Sequence, residues 1–152
     1  MIKEIKTEIT IKANPVEVWK ILTKFEQYPS WNPFITAIEG KAILGKQIKV
    51  SIVPPEGKKM VFKPRVQVLK EYQELRWLGH FMFKGLFDGV HSFELIHQGD
   101  GTTLFKHSET FNGIMVRFFN LDKTKKGFLE MNRALKNLVE QRAPFEIHPN
   151  LL

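Results

Sequence analysis

At Gly113 the apolar residues of this chain change period, from two to about 3.6, and that switch limits the folds open to it. Upstream, Leu75, Trp77, Gly79, Phe81 and Phe83 share one face of a run, followed by Phe93 and Leu95 on the next and Phe105 and Phe111 on the one after. Alternation of this kind marks strand faces turned away from water. Downstream, Phe118, Leu121, Phe128, Met131, Leu135 and Leu138 form one stripe over residues 115–142, opposite Lys125, Glu130, Arg133, Lys136 and Glu140. A meander of strands followed by one long amphipathic helix is an α+β arrangement, in which the sheet buries its apolar face against the helix.

The remaining elements follow from local chemistry. Ile5, Thr7, Ile9 and Ile11 alternate with Glu4, Lys6, Glu8 and Thr10, which predicts a half-buried strand over 3–12 with Thr7 its one polar inward residue. Asn14 is then placed to cap a helix, Pro15 suits its first turn, and Glu17 stands where a capping-box carboxylate reaches back. The helix is expected to stop before Tyr28-Pro29, with Ser30-Trp31-Asn32-Pro33-Phe34 plugging one end of the core. Six further strands are predicted over 35–43, 46–53, 60–71, 73–83, 88–97 and 102–112, separated by turn residues such as Pro54-Pro55-Glu56-Gly57 and Gly99-Asp100-Gly101. Pro64 removes a ladder donor and so calls for an edge or a bulge. Gly127 in the helix marks a kink or the close approach of something bulky. The whole reads as a curved, largely antiparallel seven-stranded sheet wrapped around a long C-terminal helix, with two short helices after the first strand. A single domain is expected over 1–143, with a short tail over 144–152 ended from the helix by Pro144.

Thirteen phenylalanines and three tryptophans in 152 residues exceed what a compact core of this length needs. An enclosed cavity between sheet and helix accounts for them. The net charge of +7 is spread over most elements, and only Lys123, Lys125 and Lys126 cluster, so a solvated surface is expected rather than a nucleic-acid or anionic-membrane partner. The chain has no cysteine, which excludes disulfides, thiolate metal sites and cysteine nucleophiles. No signal-peptide pattern or membrane-length apolar run is found, and a cytoplasmic protein without integral membrane association, monomeric or homodimeric, is expected. Nucleophile motifs and phosphate-cradling glycine loops are missing, which argues against hydrolase and nucleotide chemistry, and no cofactor is expected.

Particular segments carry a resemblance. Asn14-Pro15-Val16-Glu17-Val18-Trp19, Tyr28-Pro29-Ser30-Trp31-Asn32-Pro33-Phe34, Leu75-Arg76-Trp77-Leu78-Gly79 and Gly89-Val90-His91-Ser92-Phe93-Glu94-Leu95 come first. Gly101-Thr102-Thr103-Leu104, Glu109-Thr110-Phe111-Asn112-Gly113 and Met131-Asn132-Arg133-Ala134-Leu135-Lys136 follow. Together they resemble the START-like (SRPBCC) superfamily, and within it the bacterial polyketide cyclase/dehydrase and lipid transport group. The resemblance implies a helix-grip fold and a cavity between sheet and C-terminal helix; no catalytic set matches residue by residue.

His91 shares its strand face with Phe93 and Leu95, while His107 and Glu109 share theirs with Phe105 and Phe111. If Gly99-Asp100-Gly101 joins the two strands as a hairpin, His91 lies opposite His107 or Glu109. Three readings stay open for this cluster: a satisfied buried pair, groups that orient a ligand's carbonyl or hydroxyl, and acid/base chemistry. A two-histidine, one-carboxylate metal site lacks a further supporting motif, and no metal is expected. The candidate pocket comprises Trp31, Phe34, Trp77, Phe81, His91, Phe93, His107, Glu109, Phe111, Phe118, Leu121 and Met131. The expected function is that of a carrier or sensor of a small hydrophobic or aromatic ligand or lipid. The alternative is a cyclase/dehydratase-like enzyme using His91, His107 or Glu109 as acid/base groups.

Overall fold

The computed structural model describes residues 1–142, so the expected tail over 144–152 and the end of the domain at 143 lie outside the described residues. Strand β1 (Ile2–Ile11) leads into α1 (Pro15–Thr23), a 3-10 turn (Phe25–Gln27) and the short α2 (Tyr28–Trp31). Strands β2 (Ile35–Glu39), β3 (Lys49–Ile52), β4 (Met60–Phe62), β5 (Arg65–Lys70), β6 (Glu74–His80), β7 (Asp88–His97) and β8 (Thr103–Asn112) follow. A second 3-10 turn (Val116–Phe118) precedes the long helix α3 (Asp122–Arg142).

All pairings are antiparallel, in a five-stranded sheet ordered β1-β8-β7-β6-β5 and a three-stranded sheet ordered β2-β3-β4. The architecture is the expected α+β one, but the strands number eight in two sheets rather than seven in one. Pro64 is the reason. With no N–H to offer, it divides the single strand expected over 60–71 into β4 and β5. Its carbonyl still accepts from the Ile48 N–H at 2.9 Å, and a bridge between Gln47 and Arg65 ties the two sheets together there.

The N-terminal helices hold as their caps require. Asn14 Oδ1 accepts from the Glu17 N–H at 3.2 Å and Pro15 occupies the first turn. Glu17 does not reach back as a capping box; its carboxylate meets Lys20 at 3.2 Å instead. The fully buried Tyr28 donates its hydroxyl to the Leu22 carbonyl, fastening α2 to the end of α1, and burial pushes its phenol well above the usual range.

Helix α3 starts later than the periodicity suggested. Gly113 adopts φ 140°, and the chain after it bonds to the β6–β7 loop, with the Ile114 N–H on the Gly85 carbonyl and the Met115 N–H on that of Leu86. Asn120 Oδ1 then accepts from the Asp122 N–H at 2.9 Å, and only there does the helix begin. Phe128, Met131, Leu135 and Val139 make its buried stripe, packed chiefly against β1 and α1. The helix passes Gly127 without interruption, and of the two expected roles the close approach is the one observed. A Cβ at this position would lie 2.3 Å from Cδ2 of the Phe34 ring.

Candidate functional site

Between the inner face of the larger sheet, the smaller sheet and the start of α3 lies a small, partly open cavity. The smaller sheet contributes Val50, Ile52, Met60 and Phe62; the larger contributes Trp77, Gly79, Gly89, His91, Glu109 and Phe111. Phe34, Pro64, Phe87, Phe119, Leu121 and Thr124 complete the wall. Of these side chains only His91, Glu109 and Thr124, with the indole Nε1–H of Trp77, carry nitrogen or oxygen. Mostly apolar walls with a few placed polar groups are what small-molecule sites are built from.

Six of the residues expected in the pocket line this wall: Phe34, Trp77, His91, Glu109, Phe111 and Leu121. Phe93, His107 and Met131 are fully buried behind it. Trp31 is half-buried against Tyr28, at 5.0 Å between ring centroids, and is not part of the wall. Phe81 and Phe118 are elsewhere, 43% and 66% exposed. Strand β6 ends at His80, where Met82 turns to φ 65° and the Phe81 N–H closes a loop onto the Phe87 carbonyl, so alternation no longer governs Phe81 or Phe83. Phe118 lies in the turn before α3, under the guanidinium of Arg117 at 4.7 Å.

The sequence reading missed the side of the cavity supplied by β3 and β4. Its signal was present in the spacing of Val50 with Ile52 and of Met60 with Phe62. It also missed Asn132, a 1% exposed amide at the stripe position one turn after Phe128. A polar residue at a core position of an amphipathic helix needs a buried partner, and that was the available clue.

The partner is the histidine cluster. In the β7–β8 ladder His91 faces Glu109 and Phe93 faces His107, so His91 meets Glu109 directly and His107 diagonally. Trp77 and Phe128 flank the His91 ring at 5.1 Å each, and Phe128 lies parallel to His107 at 3.9 Å and 4°. Four contacts then connect Thr7 to the cavity. Asn132 Nδ2 donates to Thr7 Oγ1 at 2.8 Å, and Asn132 Oδ1 lies 2.8 Å from His107 Nδ1. His107 Nε2 lies 2.7 Å from His91 Nε2, and His91 Nδ1 lies 3.2 Å from Glu109 Oε2.

One further bond sets the direction of the whole series. Thr7 Oγ1 is 2.7 Å from the His107 carbonyl, which can only accept, so the hydroxyl's single proton is committed there. The hydroxyl must therefore accept from Asn132 Nδ2, which leaves Asn132 Oδ1 to accept from a protonated His107 Nδ1. Burial, reinforced by the nearby His91, holds the His107 pKa well below the ordinary histidine value, so the ring is neutral and its Nε2 is bare. His91 Nε2 must then donate to it. His91 Nδ1 and Glu109 Oε2 remain face to face, and a bond between them needs one proton, carried by either partner.

Among the described residues, no group of three or more histidines, aspartates and glutamates is arranged to hold a metal ion. The mutual contact of the two Nε2 atoms occupies the position a shared ion would need. No helix among the described residues is long and apolar enough to cross a membrane.

Comparison with known proteins identifies the architecture. The Zhui aromatase/cyclase from Streptomyces sp. R1128 superimposes with a TM-score of 0.76 at 11% identity, over 93% of this chain and 96% of that one. A START superfamily protein from Mycobacterium smegmatis gives 0.68 at 19% identity, over 92% and 99%. Ara h 8.0201 gives 0.70 at 20% identity, over 93% and 99%. At these identities the likeness concerns the fold, which is the helix-grip fold of the START-like superfamily. None of the curated proteins compared with the sequence matches it. The sequence itself matches a family model over residues 3–141, and the chain belongs to the polyketide cyclase/dehydrase and lipid transport family.

Proposed function

We propose that this protein binds a small hydrophobic or aromatic molecule in the cavity between sheet and α3, as a carrier or sensor. The observation that carries the reading is the wall itself, aromatic and aliphatic throughout except at His91, Glu109 and Thr124. Apolar surface of this kind gains free energy by contact with an apolar ligand, while the few polar groups fix its orientation. Native mass spectrometry of protein purified from several hosts tests the proposal. A co-purifying lipid or aromatic compound is the expected result, and consistently empty protein that also fails to bind added hydrophobic probes overturns it.

A second reading has its own observation: the His91–Glu109 contact opens onto the cavity rather than being closed off from it. A carboxyl-imidazole pair there could exchange a proton with a bound polyketide-like substrate, as in a cyclase or dehydratase, with His107 positioning His91 from behind. The Zhui aromatase/cyclase has this fold, which makes the reading chemically reasonable. Its test is turnover of a β-polyketone substrate, expected to be lost in Glu109→Gln while ligand binding persists.

A further inference from the structure

The polar mark inside the cavity has a definite sign. Glu109 Oε2 is engaged with His91 Nδ1, whereas Glu109 Oε1 takes no hydrogen bond among the described residues and borders the cavity beside Gly89. Gly89 is what leaves room for it, because a Cβ there would stand 2.6 Å from Oε1. The chain of committed donors from Thr7 through Asn132, His107 and His91 places a single proton between His91 Nδ1 and Glu109 Oε2. Whether that proton rests on nitrogen or on Oε2, Oε1 is left bare. It is then a carbonyl oxygen in one case and a carboxylate oxygen in the other, and an acceptor in both.

The surroundings reinforce this assignment. Trp77 and Gly79 on β6, Ile5 opposite Glu109 on β1, and Phe128 on α3 face the pair without a titratable group. His107 is occupied by His91 and Asn132, and Lys3, the cation next along the inward side of β1, gives its ammonium to the Phe119 carbonyl at 3.0 Å. Besides the Thr124 hydroxyl at the start of α3, a ligand entering this space therefore meets one unsatisfied acceptor on the sheet, Glu109 Oε1, held by this network.

We propose that the ligand carries a hydrogen-bond donor, a hydroxyl or N–H on a small aromatic or alicyclic frame, and seats it on Glu109 Oε1. This rests on the cavity being a binding site, as proposed above, and adds which chemistry it selects. A frame with only an ether or ketone oxygen at that position brings two acceptors together and loses the contact.

Three probes of similar shape separate the possibilities: 2-naphthol, 2-methoxynaphthalene and 2-methylnaphthalene, titrated into the purified protein and followed by calorimetry or displacement of a fluorescent dye. We expect 2-naphthol to bind roughly tenfold more tightly than either of the others, the scale of one hydrogen bond to a partly charged acceptor. In Glu109→Leu the preference should vanish, with 2-naphthol binding no more tightly than 2-methylnaphthalene. In Glu109→Gln, whose amide nitrogen can donate to His91 and leave its oxygen facing the cavity, a reduced preference should remain. Equal binding of all three by the unaltered protein overturns the inference and leaves the cavity reading standing, and so does a preference that survives in Glu109→Leu. Failure of all three to bind overturns both. If Glu109→Leu does not fold, Glu109→Gln decides, and an undiminished preference there overturns the inference.

Discussion

His91 Nε2 and His107 Nε2 stand 2.7 Å apart in a buried contact that has room for one proton and not two. The Thr7 hydroxyl, committed to the His107 carbonyl, decides from two residues away that His91 holds it. We therefore expect His107 in the tautomer protonated on Nδ1, and His91 protonated on Nε2. Nitrogen-15 NMR of the imidazole rings at neutral pH checks this. An Nε2–H on His107 would reverse the series and overturn this assignment, with His91 Nδ1 then donating to Glu109 Oε2.

The same burial makes folding sensitive to acid. His107 has a folded pKa well below its ordinary value of 6.5, so below that pH the unfolded chain binds a proton that the folded one refuses. Stability is then fully present above pH 6.5 and is lost as pH falls through the window between the unfolded and folded values. The slope from this one group is about 1.4 kcal/mol per pH unit. Urea unfolding between pH 7 and 5 should show it, and His107→Gln, which cannot titrate, should flatten the dependence relative to the unaltered protein.

Gly127 and Phe34 make a second contact with measurable consequences. The Phe34 ring lies over the glycine, tilts against Phe128 at 5.4 Å and forms part of the cavity wall. Gly127→Ala improves helix propensity by about 1 kcal/mol. It also drives a methyl into a buried ring, an overpacking worth about 1–3 kcal/mol. We expect a net loss in chemical unfolding and weaker binding of 2-methylnaphthalene, as Phe34 is pushed toward the cavity. A stabilised variant with unchanged binding would show that the contact yields easily.

The order of elements and the faces of β1, β7 and β8 were legible in the sequence because alternation continues to the ends of those strands. Parity, once the hairpin was assumed, placed His91 opposite His107 or Glu109, and the register of the ladder selects Glu109. Sequence periodicity could not show where alternation ceases to mean strand. At Phe81 and Phe118 apolar spacing continues after the backbone has turned, through the positive φ at Met82 and the loop from Gly113 to Asn120. Pro64 was recognised as a disturbance, but whether it bends a strand or divides it depends on partners across the sheet. Asn132 was hidden for a different reason: a single amide on an apolar stripe gives no sign of its partner, which here is contributed by a strand 25 residues away at His107.

Gly89 is the residue on which the geometry of Glu109 most directly depends. An alanine there would bring its methyl to 2.6 Å from Oε1 and 3.8 Å from Phe111 Cδ1, so the end of a flexible side chain must give way. Because only a carboxylate tip moves, the loss of stability should be small, within about 1 kcal/mol. The effect on the polar network should be larger, since turning the carboxylate away from Gly89 also carries Oε2 off His91 Nδ1. We expect Gly89→Ala to fold, to bind 2-methylnaphthalene with little change, and to lose most of its preference for 2-naphthol, with the His91 Nδ1 resonance shifted. A variant that keeps both the preference and the resonance would mean that Glu109 reaches the ligand by another rotamer, and that Gly89 serves only the close packing of β7 against β8.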